Sequence, residues 1–137
     1  MKGIYVLVIS LSCSANVAVG KLGTLRFEKG LYAYIGSAQV ALERRIERHL
    51  RREKLVFWHI DYLLKNPSAR VSKIFMKNSG KQDECNVAEK IGARGEAVTG
   101  FGCSDCCCKS HLYRVNDYSF LKDILKEYPM PIPSKFS

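Results

Sequence analysis

Long apolar runs are missing from this sequence. No stretch approaches the roughly 20 consecutive apolar residues that a transmembrane helix needs. The first residues, MKGIYVLVISLSCS, carry one lysine and lack a small-residue cleavage site, so they do not have the form of a secretory signal peptide. Together these absences predict a cytoplasmic protein with no membrane-spanning segment.

Acidic residues are also scarce. The chain has 13 Asp and Glu against 22 Lys and Arg, which gives a net charge of +9. Such an excess favours a polyanionic partner or an acidic membrane surface, and charge alone does not choose between them. Internal repeats and low-complexity tracts are absent as well, which excludes a repeat architecture.

Proline is rare until the end of the chain. Three of the 4 prolines stand at alternate positions in the last segment, PMPIPSKFS, which therefore cannot be a regular helix. The 137 residues match one ordinary domain, and 47% hydrophobic content is enough for one core. We expect a single domain over residues 1–128 and a proline-rich tail over residues 129–137.

Cysteine is the exception, with 6 residues. Without a signal peptide, reduced thiols are expected. Four cysteines crowd into Cys103–Cys108, too close together to bridge regularly with one another. With His111 they resemble half of a zinc site, but structural zinc usually draws its other ligands from a distant segment. Structural Zn²⁺ is therefore the less favoured alternative to packing of reduced thiols; Asp105 and His111 are secondary candidates for lining a cleft.

Apolar and polar periodicity predicts strands in the first part of the chain. Lys2–Ser12 is almost continuously apolar, which is typical of a central strand buried on both faces. Residues 13–21 are small and turn-prone and predict a loop. Thr24–Glu28 alternates polar and apolar residues, and we expect it to form a hairpin with the aromatic-rich segment LYAYIG at 31–36.

Helical periodicity follows. The sequence predicts a helix from Ala38 with Leu42, Ile46 and Leu50 on one stripe. Further helices are expected over Phe57–Lys65, from Asp83 as N-cap to Ala93, and from Asn116 or Asp117 to Tyr128, with strands at 71–76, 98–102 and 111–115.

Two of these helices carry chemically useful side chains. Arg45 and His49 are four residues apart, so they share one helix face directly after the strand that contains Tyr34. Glu84 leads the apolar stripe of Val87, Ala88 and Ile91, where a carboxylate is unusual.

At this point the residues resemble a known family. Gly3-Ile4-Tyr5 on the first strand and Tyr34-Ile35-Gly36 before the helix are similar to the paired signature of the GIY-YIG nuclease superfamily. Glu43, Arg45, Ile46 and His49 resemble the pattern E-x-R-apolar-x-x-H that follows it in some members. The arrangement looks most like the small Uri-type archaeal and bacterial branch of poorly characterised proteins.

The resemblance implies an α/β (α+β) fold: a small, mixed, antiparallel-containing sheet flanked by helices. It also implies metal-dependent hydrolysis of a nucleic-acid phosphodiester, with DNA preferred by analogy. The segment between the two tyrosines is longer than in typical members, so we expect an extra strand inside the motif.

Roles for individual residues follow from the resemblance. Tyr5 would activate or orient the attacking water, although a phenol with its ordinary pKa near ~10 needs a nearby cation to act as a base. Tyr34 would hydrogen-bond the same water or the phosphate. The planar, permanent cation of Arg45 suits the phosphate, and His49 would protonate the leaving group or hold the phosphate. Glu84 would bind one Mg²⁺ or Mn²⁺.

Each assignment has a structural alternative. The tyrosines can be ordinary core aromatics, and Glu84 can simply favour the positive end of its helix. The basic helix can be a solvated face of i,i+4 pairs. On the functional hypothesis, four further arginines at this helix contact nucleic acid: Arg44, Arg48, Arg51 and Arg52. Either Arg44 or Arg48 could take the place of Arg45 at the phosphate.

Other readings of the whole chain stay open. One is a catalytically silent nucleic-acid-binding module of the same fold, and another is a zinc-stabilised interaction protein. His59 is a secondary candidate that faces the site. The sequence gives no oligomeric state.

Overall fold

The computed structural model of the chain describes residues 2–51, 55–56, 58–102 and 110–129. In these residues the chain forms eight strands and three helices. The strands are β1 (Gly3–Leu11), β2 (Ala15–Ala18), β3 (Thr24–Phe27), β4 (Gly30–Ala38), β5 (Ala69–Lys77), β6 (Gly95–Ala97), β7 (Leu112–Val115) and β8 (Lys126–Tyr128). The helices are α1 (Leu42–Leu50), α2 (His59–Leu64) and α3 (Gln82–Gly92), and 3₁₀ turns cover Gly20–Leu22 and Ser119–Asp123.

Strand β1 lies near the centre of a six-stranded sheet with the order β6-β7-β4-β1-β5-β8. Every pairing described within this sheet is antiparallel. Eight of the nine residues of β1 are buried, as its continuous apolar sequence predicts for a strand covered on both faces. The predicted α+β class, with an antiparallel sheet flanked by helices, is confirmed.

The alternation of side chains along β1 separates two apolar layers. Tyr5, Leu7 and Ile9 point into a core shared with α1 and α2. Ile4, Val6 and Val8 point to the opposite face, where they pack against α3. The two tyrosines of the motif therefore belong to the α1–α2 side of the sheet.

The predicted hairpin between Thr24–Glu28 and LYAYIG is wrong. Strand β3 pairs with β2 in a separate two-stranded sheet. Strand β2 lies in the segment 13–21, which was expected to be a loop. Along β4, one edge is taken by β1 over its whole length and part of the other by β7, so the long-range pairings displace the local one. Extra strand structure does lie between Tyr5 and Tyr34, as expected.

Three further predictions of secondary structure are wrong. The strand predicted over residues 98–102 is absent, and residues 99–102 form a turn. The helix predicted up to Tyr128 is instead a 3₁₀ turn followed by β8. Leu121 and Leu125 are buried with helical spacing although no continuous helix joins them. Asp83 lies in the first turn of α3 and pairs with Lys77 at 2.8 Å, and the N-cap is Lys81.

Two findings concern membrane-spanning helices and cysteine chemistry. Among the described residues, no helix has both the length and the apolar character needed to cross a bilayer. Cys85 on α3 is disulfide-bonded, so the expectation of reduced thiols, which rested on compartment alone, is wrong at this position. Cys13 is a free, exposed thiol. The cluster Cys103–Cys108, and with it the zinc hypothesis, lies outside the described residues, as do residues 130–137 of the tail.

Candidate functional site

Tyr5 and Tyr34 are neighbours on one face of the sheet. In the β1–β4 register, Tyr34 lies opposite Leu7, two residues from Tyr5, so the two rings are diagonal partners. Their centroids are 6.5 Å apart. Antiparallel pairing of the two motif strands thus brings together side chains that are far apart in sequence.

His49 lies directly behind these tyrosines. The Tyr5 hydroxyl and His49 Nε2 are 2.7 Å apart in a buried hydrogen bond, and the imidazole ring lies 5.3 Å from Tyr5 and 6.1 Å from Tyr34. Only 2% of His49 is exposed. His49, which was expected to act on the leaving group or the phosphate, is thus hydrogen-bonded to the first tyrosine.

Arg45 and Arg48 are held against one aromatic ring. Their guanidinium carbons lie 4.9 Å and 4.5 Å from the Trp58 ring centroid, within the range of cation–π attraction. Trp58 in turn lies 5.7 Å from the His49 ring. Arg45 also donates a 2.6 Å hydrogen bond to the carbonyl of Ser37 at the end of β4. Its side chain remains only half-buried.

Asp61 fixes Arg48 and the start of α2. Arg48 donates two hydrogen bonds of 3.0 Å to the two carboxylate oxygens of Asp61, which is fully buried. The same carboxylate accepts the backbone N–H of Trp58 at 2.9 Å. Sequence reasoning missed this function of Asp61. The one local signal was an acidic residue three positions after the N-cap residue, Trp58.

Glu84 and His111 approach the site from the other side. Glu84 is in the first turn of α3, and its Oε1 lies 3.7 Å from Nε2 of His111, the residue before β7. Both residues are buried. Burial lowers the pKa of His111, and the charge of Glu84 opposes this effect. The lowered pKa keeps the imidazole neutral near pH 7.

Electrostatics links the two sides. Burial raises the pKa of Tyr5 well above its ordinary value, and burial likewise raises the pKa of Tyr34. The charge of Glu84 raises the pKa of both phenols further, and the charge of Arg45 lowers it. Both tyrosines are therefore neutral at pH 7, and the charges of two carboxylates, Glu84 and Asp61, and of one cation, Arg45, act on both. The structure thus brings together Tyr5, Tyr34, His49 and Arg45, and the charge of Glu84 acts on both tyrosines.

The remaining candidates are placed as follows. His59 Nδ1 accepts the backbone N–H of Gly102 at 2.9 Å, and its ring packs 5.5 Å from Phe101, which also contacts Tyr34. Burial lowers the pKa of His59. Arg44 and Arg51 are exposed. Arg52 and Asp105 lie outside the described residues.

A divalent ion has limited protein ligands here. Within the described part of the chain, no group of three or more His, Cys, Asp or Glu side chains is arranged to hold a metal ion. A magnesium ion at a phosphoryl-transfer site often uses only one or two carboxylates, with water and phosphate oxygens completing its shell. The Glu84 carboxylate beside the His111 imidazole fits such a sparse site.

The fold and site define a small α+β domain with a buried Tyr–His pair, a stacked arginine and a carboxylate at one end of the sheet. The chain belongs to the family described as Domain of unknown function DUF123, whose model matches residues 4–130. No curated protein matches the chain. No solved structure matches it either.

Proposed function

We propose that this chain is a metal-dependent endonuclease of the GIY-YIG superfamily, from its Uri-type branch, that hydrolyses nucleic-acid phosphodiester bonds. DNA is the proposed substrate by analogy with that superfamily. The observation that carries the proposal is the convergence of Tyr5, Tyr34 and His49, with the charges of Arg45 and Glu84 felt at both phenols. The net charge of +9 supports a polyanionic partner.

The Tyr5–His49 hydrogen bond supports a route for the proton of the attacking water. In the tautomer that leaves His49 Nε2 unprotonated, the Tyr5 hydroxyl donates to that nitrogen. Tyr5 can then accept a proton from water while it passes its own to His49. Because burial raises the pKa of Tyr5, a free Tyr5 phenolate would be costly to form. A concerted transfer of the two protons avoids that phenolate. His49 is therefore proposed as the proton acceptor behind Tyr5.

Arg45 is proposed to bind the scissile phosphate. One guanidinium nitrogen is held by the Ser37 carbonyl, and the plane is stacked near Trp58, which leaves a fixed cation with further donors. Preorganised cations of this kind stabilise the charge that develops on phosphate oxygens. Arg48 has a different function, since its two donor nitrogens are engaged by Asp61.

Glu84 is proposed to hold the divalent ion. A bound Mg²⁺ or Mn²⁺ would supply positive charge for the phosphate and the leaving oxygen. Glu84 is positioned for this by the first turn of α3. The effect of its charge on the pKa of both tyrosines supports one shared site.

The test is cleavage of linear, flapped, branched and damaged DNA in the presence of Mg²⁺ or Mn²⁺. Tyr5→Phe and Glu84→Ala should each reduce the cleavage rate by on the order of 10²-fold or more. Tyr32→Phe is the matched tyrosine control, because Tyr32 is buried in the same core but its hydroxyl donates to the Glu28 carbonyl at 2.6 Å. Glu89→Ala, on an exposed position of α3, is the matched carboxylate control.

Two outcomes would count against the proposal. Cleavage that survives both Tyr5→Phe and Glu84→Ala would reject these residue assignments. Salt-sensitive binding of DNA without cleavage of any substrate would instead favour the catalytically silent nucleic-acid-binding module.

A further inference from the structure

The contact between Glu84 and His111 joins two elements at the tyrosine site. Their nearest polar atoms, Oε1 and Nε2, are 3.7 Å apart, and the two side chains keep 9% and 6% of their surface exposed. This separation is longer than a hydrogen bond. Two donor atoms that each lie about 2.1 Å from one ion are on the order of 3.0–3.4 Å apart. A small shift of either side chain would bring them to that spacing.

The position of His111 is fixed by its backbone. Its N–H donates to the Phe101 carbonyl at 2.8 Å, and its carbonyl accepts the N–H of Ile35 at 2.9 Å. Ile35 is the residue between Tyr34 and Gly36, so this bond ties His111 to the motif strand. A methyl group on Gly102 would lie 3.4 Å from the Tyr34 ring and 3.5 Å from Cβ of His111. His111 and Tyr34 therefore border the same small volume.

We infer that His111 is a second protein ligand, beside Glu84, of a divalent ion at this site, and that the pair favours Mn²⁺ over Mg²⁺. Imidazole nitrogen suits first-row transition ions, whereas Mg²⁺ takes oxygen ligands and keeps its waters. The role of the ion in cleavage rests on the proposed function. Binding of the ion by these two residues does not.

The experiment is a titration of the full chain with Mn²⁺, followed by calorimetry and pulsed electron paramagnetic resonance. A coordinated imidazole nitrogen couples magnetically to the Mn²⁺ electrons, whereas water and carboxylate oxygens give no nitrogen signal. We expect one bound ion with nitrogen coupling. His111→Gln should abolish the coupling and weaken Mn²⁺ binding by about 10-fold or more, while Mg²⁺ affinity changes by less than about 3-fold.

His59→Gln is the matched control. His59 is another histidine near the site, but its Nδ1 accepts the backbone N–H of Gly102. This variant should keep both the coupling and the affinity for Mn²⁺. Because the unmodified chain itself either has or lacks the nitrogen signal, the test does not depend on the folding of any variant.

Mn²⁺ binding without nitrogen coupling, or no Mn²⁺ binding at all, would overturn the inference and leave Glu84–His111 as a contact that joins α3 to β7. Nitrogen coupling that persists in His111→Gln would overturn it too. The two proposals fail separately. DNA cleavage without the nitrogen signal would reject only the His111 ligand, and nitrogen coupling without cleavage of any DNA would reject only the nuclease.

Discussion

The phenol ring of Tyr5 covers the backbone of Gly36, its direct partner across β1 and β4. A Cβ atom at Gly36 would overlap the Tyr5 hydroxyl and ring. Because Tyr5 is buried and bound to His49, the ring has no free space to move into. The glycine that ends the second half of the motif is therefore required by the tyrosine of the first half.

Gly36→Ala should destabilise the fold by roughly 1–3 kcal/mol or more, the usual cost of overpacking a core. Urea denaturation measures this. In a Tyr5→Leu background the smaller side chain removes the overlap, so the same Gly36→Ala substitution should cost clearly less. Equal costs in the two backgrounds would show that the ring is not the obstacle.

Asp61→Asn should be strongly destabilising. It removes the charge that Arg48 and the N–H of Trp58 share, and breaking a buried ion pair costs about 3–5 kcal/mol. The Arg48 side chain is 26% exposed, so water screens part of this, and we expect the lower end of that range. The free energy of unfolding in urea is the measurement.

The control for this prediction is Glu127→Gln. Glu127 pairs with Lys73 at 3.3 Å on the surface, where the side chains are 44% and 39% exposed, and exposed pairs contribute little. If the two substitutions destabilised the protein equally, the buried Asp61–Arg48 pair would contribute no more to stability than an exposed pair.

Ala41→Gly should stabilise the protein. Ala41 stands before α1 with φ 52 and ψ 51, in the left-handed region, where a Cβ atom costs roughly 1–2 kcal/mol relative to glycine. Thermal and urea unfolding should both show a gain of about 1 kcal/mol. Ala18→Gly in β2 is the control and should have the opposite sign, with a loss of roughly 0.5–1 kcal/mol.

Stability should fall above pH ~10. Burial raises the pKa of Tyr5 and Tyr34 in the folded state, while unfolded tyrosine ionises near pH ~10. Below that pH the tyrosines are protonated in both the folded and the unfolded state, and the free energy of unfolding is not reduced by their ionisation. As the pH rises further, the unfolded state releases protons that the folded state retains, so unfolding becomes easier.

Unfolding free energies between pH 9 and 11 measure this effect. In the Tyr5→Phe/Tyr34→Phe double variant the decline should be shallower, by up to about 1.4 kcal/mol per pH unit for each tyrosine removed. An unchanged slope would mean that neither phenol is shielded from ionisation in the folded protein.

The sequence by itself determined the elements whose burial follows from a local pattern of apolar residues. The apolar run of β1, the four-residue stripe of α1 and the stripe of α3 led by Glu84 all appear where the sequence predicts them. The start of α1 was predicted wrongly, since the helix begins at Leu42 and Ala38 still belongs to β4. Those periods follow from backbone geometry, which acts locally. The Arg45–His49 face could be chosen for the same reason, whereas the paired tyrosines were chosen from the resemblance to the GIY-YIG superfamily.

Only the tertiary structure decided which strands pair and what each polar group contacts. β3 pairs with β2 because β1 and β7, which are distant in sequence, occupy the two edges of β4. The local sequence pattern gives no information about this competition between strands. Asp61 meets Arg48, and His49 meets Tyr5, across long sequence separations. Such contacts depend on how whole elements pack, since the free energy of burying a charge or a phenol is fixed by its three-dimensional surroundings.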